Sequence, residues 1–394
     1  MTRRAPDSCP GVLRLHQAAD GPLARIRLPG GRLEPDQLRA LAAISVDLAD
    51  GTIELTSRGN LQLRRVRDAG ALTDRLAAAG LLPSRTHERV RNIVASPLSG
   101  RLGGLADVHG LVTALDEGIR ATPRLAELPG RVLFALDDGR GDVSGLAGDI
   151  GLHALHAEEF ALVLAGGDTG IRVGAANAVD LLLAAAESFL DLDSGQWRLR
   201  DIENGAARVI DRLGRTPDAE RVEFAASQDI PIGWLDQENG SVSLGAGVRL
   251  GTLTARVAEF LAAVEHPIFV TPWRSLLVVD LEEGPAEQVV RVLAPMGLIF
   301  DAGSPWLQVS ACAGRPGCAK SRTDVRADAA AAVESGRVPP TRDDAGRPPA
   351  APVAAAEVTV GGRQHWSGCE RRCGRPPGAV TDIIATPQGY LIDR

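Results

Sequence analysis

The feature that most constrains the fold is an internal repeat. The stretch TIELTSRGNLQLRRV (52–66) has the alternating, β-branched make-up of strands around a polar turn, and PIFVTPWRSLLVVDL (267–281) resembles it. Each follows a helical-looking segment, LEPDQLRALAAI (33–44) and LGTLTARVAEFLAAV (250–264). Each of those follows a glycine-rich strand end, RIRLPGGRL and VSLGAGVRL. Each unit then runs into a helix closed by glycine and a short apolar strand, LTDRLAAAGLLP (72–83) and VVRVLAPMGLIF (289–300). The same features recur in the same order, so the chain carries a duplicated α+β unit. A solenoid is excluded, because its repeats are far shorter.

Between the repeats, RVLFALDDG (131–139) and EEFALVLAGG (158–167) read as strands closed by Asp-Gly and Gly-Gly turns. AANAVDLLLAAAESFLDL (175–192) has helical periodicity, and the Pro-rich stretch 334–352 reads as an exposed, mobile loop. The chain divides on this basis into 1–85, 86–221, 222–302 and 303–394. A net charge of −7 and an aromatic content of 3% argue against partners recognised by phosphate neutralisation or base stacking, so no nucleic acid is expected. The segment MTRRAPDSCPGVLRLH has two arginines but no apolar run behind them, and no apolar run elsewhere is long enough to span a bilayer. A cytoplasmic location with no membrane partner is therefore expected.

The five cysteines are an odd number in a chain with no apparent export signal, which argues against a disulfide framework. Four lie in two pairs, Cys312 and Cys318 in CAGRPGC, then Cys369 and Cys373 in CERRC, while Cys9 stands apart. The first pair is wide for a zinc knuckle, and Gly314, Pro316 and Gly317 would let its loop wrap a bulkier object. The second pair sits one helical turn apart. Spacing favours an iron–sulfur cluster and leaves zinc or unliganded thiols as alternatives.

The C-x5-C and C-x3-C pattern resembles the nitrite and sulfite reductase family, in which these cysteines hold a [4Fe–4S] cluster. TSRGNLQLR is similar to that family's first arginine strand, and ERVRNIVASPLSG (88–100) to the segment whose arginine faces the tetrapyrrole. CPGVLRL, RIRLPGG, IPIGWL, TPWRSLLV and HWSGC resemble most closely the branch of the family that acts in aerobic cobalamin synthesis. The resemblance implies an α+β, pseudo-twofold fold. Ferredoxin-like half-domains at 1–85 and 222–302 would each be followed by a cofactor-binding α/β domain, at 86–221 and 303–394. It implies an oxygen-dependent monooxygenase that hydroxylates precorrin-3A at C20 with lactone formation. It also implies a [4Fe–4S] cluster on Cys312, Cys318, Cys369 and Cys373, a mononuclear non-haem iron, and NADH as indirect electron source.

Such a substrate carries a rim of carboxylates, which arginine binds bidentately. Arg58, Arg64, Arg91 and Arg274 stand at motif positions suited to this, with Arg58 and Arg274 at related places in the two repeats. Asn60 and Gln62 alternate with Arg58 and share its face. The reductases hold their small anion with two basic residues of a strand, and the matching stretch here, Arg131-Val132-Leu133-Phe134, keeps only Arg131. Arg131 joins the expected substrate ligands, and Leu133 weakens a reductase reading. The family's lysine-containing insert between the last two cysteines is replaced by Glu370-Arg371-Arg372.

His153 and His156 with Glu158 and Glu159 offer possible iron ligands, although an ordinary polar loop is the plainer reading. His365, four residues before Cys369, is a candidate for tuning the cluster or touching substrate, against the plainer reading of a packed histidine. GAGVRLG (245–251) lacks the spacing of a dinucleotide fingerprint, so a separate reductase or ferredoxin is expected to deliver electrons. Two alternatives remain at this level. One is a sirohaem-dependent sulfite or nitrite reductase; the other is a zinc-stabilised binding protein without activity.

Overall fold

The computed structural model describes residues 7, 9–225, 227, 229–339 and 352–393. Most of the Pro-rich stretch, 340–351, lies outside the described residues.

The first repeat comprises β1 (His16–Ala18), β2 (Gly21–Ile26), β3 (Arg32–Leu33), α1 (Pro35–Leu48), β4 (Thr52–Leu55), β5 (Leu61–Leu63) and α2 (Ala69–Ala78). Helix α1 starts at Glu34, whose amide donates to Gln37 Oε1 (3.1 Å), with Pro35 in its first turn, and it buries Leu38, Leu41, Ala42, Ile44 and Ser45 at helical spacing. The segment after it holds β6 (Ile93–Ala95), α3 (His109–Ala121), β7 (Phe134–Asp137), β8 (Ile150–His156), β9 (Glu159–Leu164), β10 (Gly167–Gly174), α4 (Ala175–Asp191) and α5 (Gly205–Leu213). The second repeat comprises β11 (Gly233–Asp236), β12 (Val242–Val248), β13 (Thr252–Thr254), α6 (Ala255–Ala262), β14 (Ile268–Val270), β15 (Ser275–Leu281), α7 (Glu283–Leu293) and β16 (Leu298–Ile299). The last segment holds β17 (Val309–Ala311), α8 (Val325–Glu334), β18 (Gln364–Ser367), β19 (Thr381–Thr386) and β20 (Gly389–Asp393).

The two repeats exchange strands. One sheet has the order β1-β2-β5-β4-β13, and the other β11-β12-β15-β14-β3, with β16 also on β12. Thus β13 of the second repeat pairs with β4 (Leu253 opposite Ile53), and β3 of the first pairs with β14 (Leu33 opposite Ile268). One apolar core therefore runs through both repeats, including Leu33, Leu41, Ile53, Leu63, Leu253, Leu261, Ile268 and Leu281. Truncating an exchanged side chain opens a cavity in this shared core. Leu253→Ala should cost about 2–5 kcal/mol. Denaturant unfolding followed by fluorescence and by circular dichroism should show the repeats lost in one transition; two separated transitions would contradict a shared core.

Matching turns precede the exchanged strands, at Pro29–Gly31 and Arg249–Gly251. Gly31 has φ +76, and a Cβ there would lie 2.1 Å from the Val270 carbonyl oxygen, so the close approach of β14 requires glycine. Leu250 holds φ +51 where the first repeat has Gly30 at +62, a left-handed conformation that costs a non-glycine residue about 1–2 kcal/mol.

The two remaining segments repeat each other as well. In the order β10-β9-β8-β7-β6, strands β6, β7 and β8 are parallel and β9 returns antiparallel. In β17-β18-β19-β20 the same run of two parallel pairs and one antiparallel pair recurs. Among the described residues no helix is long and apolar enough to cross a membrane.

Candidate functional site: an arginine-lined cavity beside four thiols

A cavity of about 460 Å³ opens where all four segments meet. Its wall includes Ser57 and Arg58 from the first repeat, Leu133, Arg198 and Arg200 from the segment between, Leu250, Trp273 and Arg274 from the second repeat, and Trp306, Ser310, Arg363 and Arg375 from the last segment. Six arginines line it and, among the described residues, no aspartate or glutamate does.

Arg58 is presented by the turn between β4 and β5. Thr56 braces this turn: its amide donates to the Asn60 carbonyl (2.9 Å), its carbonyl accepts from the Gly59 amide (3.2 Å), and its Oγ1 accepts from the Asn60 amide (3.1 Å). Thr271 repeats the device between β14 and β15, with its amide donating to the Ser275 carbonyl (3.0 Å) and its carbonyl accepting from the Arg274 amide (3.2 Å). These bonds correct the expected equivalence of Arg58 and Arg274. Arg274 is the counterpart of Gly59, and Trp273 that of Arg58. Arg274 accordingly sits at φ +58, in conformational space natural to glycine. Both arginines still reach the cavity.

The side chain of Arg58 makes no hydrogen bond or ion pair among the described residues. Burial, with Arg198 as a like-charged neighbour, lowers its pKa to about 10. Near it stand Arg25 on β2 and Arg27 just beyond the end of that strand, which sequence reasoning did not single out. Burial lowers the pKa of Arg27 to about 9, with Arg25 and Arg58 adding repulsion. Arg25 Nε and Arg27 Nη1 are buried without partners. Such donors have a use when an anion arrives. The signal was available in RIR, whose arginines alternate with the buried Ile26. Arg198 is fixed by Asp149 (Nε to Oδ2, 2.6 Å) and the Ala147 carbonyl (2.9 Å), which also accepts from Arg200 (2.7 Å).

Five expected substrate ligands do not line the cavity. Asn60 is buried, accepting from the Leu28 amide (2.9 Å) and donating to Asn92 Oδ1 (3.3 Å). Gln62 accepts from Arg25 Nη2 (2.9 Å) and donates to Glu54. Arg64 is paired in a fork with Asp20 (2.9 and 2.7 Å) and donates to the Gly317 carbonyl (3.0 Å), bracing the Cys312–Cys318 loop instead. Arg91 is claimed by the buried Asp116 (2.5 and 2.9 Å). Arg131 is exposed, with its guanidinium 5.1 Å from the centre of the Trp197 ring. In the first four cases an internal partner, invisible in the local sequence, holds the side chain.

The four paired cysteines come together beside the cavity, without lining it themselves. Cys312 follows β17, its amide donating to the Trp366 carbonyl (3.0 Å), and its Sγ accepts from the Gly368 amide (3.2 Å). Burial raises the Cys373 thiol, and the neighbouring Cys312, Cys369 and Cys318 raise it further. Ser310, Gly374 and Arg375, next to these cysteines in sequence, line the cavity. Among the described residues the only His, Cys, Asp or Glu group of three whose ligand atoms all lie within 4.8 Å is Asp137, Asp138 and Asp142. As placed, no three of the four thiols lie within 4.8 Å of one another, wider than the about 3.8 Å between tetrahedral sulfurs on one zinc ion with 2.3 Å bonds. Four thiolates gathered around one point at that wider spacing are the donor set that a four-iron cluster uses.

Cys9 belongs elsewhere, near Asp7, Arg27 and Arg131. The candidate iron ligands do not converge. His153 faces the buried Asp137, bonds Ser144 through Nδ1 (2.9 Å) and stacks on Phe224, whereas His156, an odd number of strand positions away, is exposed with Glu158 and Glu159.

The acidic group has a consequence for stability. Asp142 is buried, accepts from Ser96 Oγ (2.5 Å) and has its pKa raised to about 7, by burial first and then by Asp137 and Asp138. A carboxyl that binds its proton more tightly when folded loses that advantage as pH rises from its unfolded value through 7. Stability should fall across that window, and Asp142→Asn should flatten the fall and raise the melting temperature at pH 8. An unchanged pH profile would refute the assignment.

Comparison with known proteins agrees with this geometry. Residues 16–79 match the nitrite/sulfite reductase ferredoxin-like half domain. A precorrin-3B synthase from Sinorhizobium sp is 27% identical over 97% of this chain and 81% of its own length. A ferredoxin sulfite reductase from Mycolicibacterium paratuberculosis is 27% identical over 77% of this chain and 61% of its own length. The chain thus carries the half domain of the nitrite and sulfite reductases at residues 16–79 and resembles precorrin-3B synthase along most of its length. The structure of NirA from Mycobacterium tuberculosis superimposes with a TM-score of 0.75 over 94% of this chain and 73% of that one, at 20% identity, so the two share a fold. The curated relatives are oxidoreductases, and the duplicated α+β architecture is that of the family.

Proposed function

We propose that the protein is a cytoplasmic precorrin-3B synthase, which hydroxylates precorrin-3A at C20 with dioxygen and forms the product lactone. One oxygen atom enters the product, the other leaves as water, and two electrons come from NADH through a separate reductase or ferredoxin. The observation that carries the reading is the cavity wall. Six arginines suit a polycarboxylate rim, and Leu133, Trp273 and Trp306 offer apolar surface to a flat ring. The near-full-length likeness to the Sinorhizobium enzyme favours this substrate over a small inorganic anion.

Arg58 and Arg274 would hold carboxylates on different parts of the ring. Cys312, Cys318, Cys369 and Cys373 would hold the [4Fe–4S] cluster, which supplies single-electron transfer when bound. Among the described residues no set of histidines and carboxylates gathers at the cavity for a mononuclear iron, so no step is assigned to one.

The reading is tested by anaerobic purification, an absorption spectrum and a sulfite assay. Broad iron–sulfur absorption without sharp tetrapyrrole bands is expected, with negligible sulfide production even when sirohaem and a strong reductant are supplied. With Leu133 in place of a second cation, a desolvated small anion lacks a charged hydrogen bond, a loss of about 1.5–3 kcal/mol. Bound sirohaem with robust sulfide production would replace this reading with a sulfite reductase. Zinc without iron or acid-labile sulfide would replace it with a binding protein.

A further inference from the structure

The Cys312–Cys318 loop is tied to the first repeat by a set of four charged side chains. Gly314 and Gly317 give the loop little preference of its own for one shape, so a tie from outside has to supply it. Two guanidiniums do so, one at each cysteine. Arg64, just beyond β5, donates from Nη2 to the Gly317 carbonyl (3.0 Å), the peptide that leads into Cys318. It approaches so closely that a Cβ on Gly317 would lie 2.5 Å from Nη2. Arg326, in the first turn of α8, donates from Nε to the carbonyl of Cys312 itself (3.3 Å). Their counter-charges come from the first repeat. Asp20, between β1 and β2, takes Arg64 in a fork (2.9 and 2.7 Å). Glu54 on β4 accepts from Arg326 Nη1 and from Gln62, and stands 3.8 Å from Arg64 Nη1. Asp20, Glu54 and Arg64 have side chains only 7%, 4% and 8% exposed, so this pairing is made almost out of water. Burial opposes charge on both carboxyls, but Arg64 beside Asp20, and Arg326 with Arg64 beside Glu54, hold them below their ordinary pKa. The set is therefore two cations balanced by two anions.

We propose that Arg64 and Arg326 are positioning residues for the cluster: with Asp20 and Glu54 they fix the Cys312–Cys318 loop in ligating geometry, and so set how tightly the cluster is retained. The inference rests on the cluster assignment in the proposed function. The two carbonyls they hold belong to the peptides at the two ends of the loop, so they fix the direction in which each cysteine leaves the main chain. Four thiolates must meet one rigid cluster together, and freedom removed from the loop beforehand favours the bound state. Arginine suits the task because one guanidinium can donate to a carbonyl and still hold its counter-charge. The tie extends to the second pair of cysteines, since the Arg322 amide donates to the Gly368 carbonyl (3.0 Å), next to Cys369.

The test is the rate at which the anaerobically purified full chain loses its iron–sulfur absorption to a ferrous-iron chelator, with iron and sulfide counted first and a melting curve recorded for each variant. Asp20→Leu with Arg64→Met removes both charges together, so neither is left buried and unpaired. That double variant should lose its cluster about ten- to hundredfold faster than the wild type. Arg64→Lys, which keeps the charge for Asp20 without the fork, should fall between the two. Arg326→Met, at a partly exposed position, should also speed the loss, and it decides the matter if the double variant does not fold. Asp116→Leu with Arg91→Met removes a buried ion pair remote from the loop and serves as the control. It should lower the melting temperature and leave the rate of cluster loss unchanged. An unchanged rate in the Arg64 and Arg326 variants overturns the proposal, and so does equally fast loss in the control, which would assign the effect to general stability. A wild-type chain lacking iron and sulfide would instead remove the cluster assignment itself, and this role with it.

Discussion

Replacing any one of Cys312, Cys318, Cys369 or Cys373 with serine should strip the protein of its cluster, taking iron from about four per chain to near zero. Each thiol belongs to one group, because the other three all act on Cys373, and two strand ends and their following turns deliver them to one place. Cys9→Ser should leave iron content unchanged, since Cys9 sits beside Asp7 and far from this group in its contacts. The measurement is iron and acid-labile sulfide per chain after anaerobic purification. If Cys9→Ser removed iron while Cys369→Ser did not, the cluster would have to lie elsewhere.

Arg58→Ala should weaken precorrin-3A binding by roughly 1.5–3 kcal/mol, a ten- to hundredfold rise in dissociation constant. Arg274→Ala should do the same. What separates these residues from ordinary structural arginines is the behaviour of the ligand-free protein. Arg58 is a buried charge with like-charged neighbours in Arg198 and Arg25, offset in part by Asp149, and its side chain has no hydrogen-bonded partner among the described residues, so its removal relieves the cost of burial and breaks no hydrogen bond. The ligand-free melting temperature should hold or rise in Arg58→Ala. Arg274→Gly should likewise be tolerated, because glycine is at ease at φ +58. Lysine at either position should restore only part of the affinity, since it keeps the charge but not the planar fork. Titration of each variant with substrate, alongside its melting curve, decides the matter. Unchanged affinity in both alanine variants with the cluster intact would place the tetrapyrrole elsewhere.

Both results depend on features that differ in how plainly the sequence announced them. The duplication was legible because its long strands and helices carry periodicity on each side of the turn. The exchange of β3 and β13 was not, since strands of two and three residues are too short to show a period, and their pairing is decided by a partner two hundred or so residues away. The cysteines were legible as a group because spacing and count are local. The arginines were legible only as a class. Strand alternation placed Asn60, Gln62 and Arg64 on one face with Arg25 and Arg27, but Asp20, Glu54 and Asn92 claimed the first three. Arg25 and Arg27 were left with unbonded nitrogens. The one-residue offset between Arg58 and Arg274 was hidden for a similar reason. TSRGN and TPWRS each contain an arginine, yet the turn is aligned by Thr56 and Thr271 rather than by the charge.

The central claim is that this cavity hydroxylates a tetrapyrrole with dioxygen. Its most direct test is a turnover of precorrin-3A by the cluster-loaded protein with a reducing system under oxygen-18 gas, followed by mass spectrometry of the product. The account predicts precorrin-3B carrying one labelled oxygen atom, with none formed under argon. Unaltered precorrin-3A after many equivalents of electrons have passed through the cluster, or a product without the label, would contradict it.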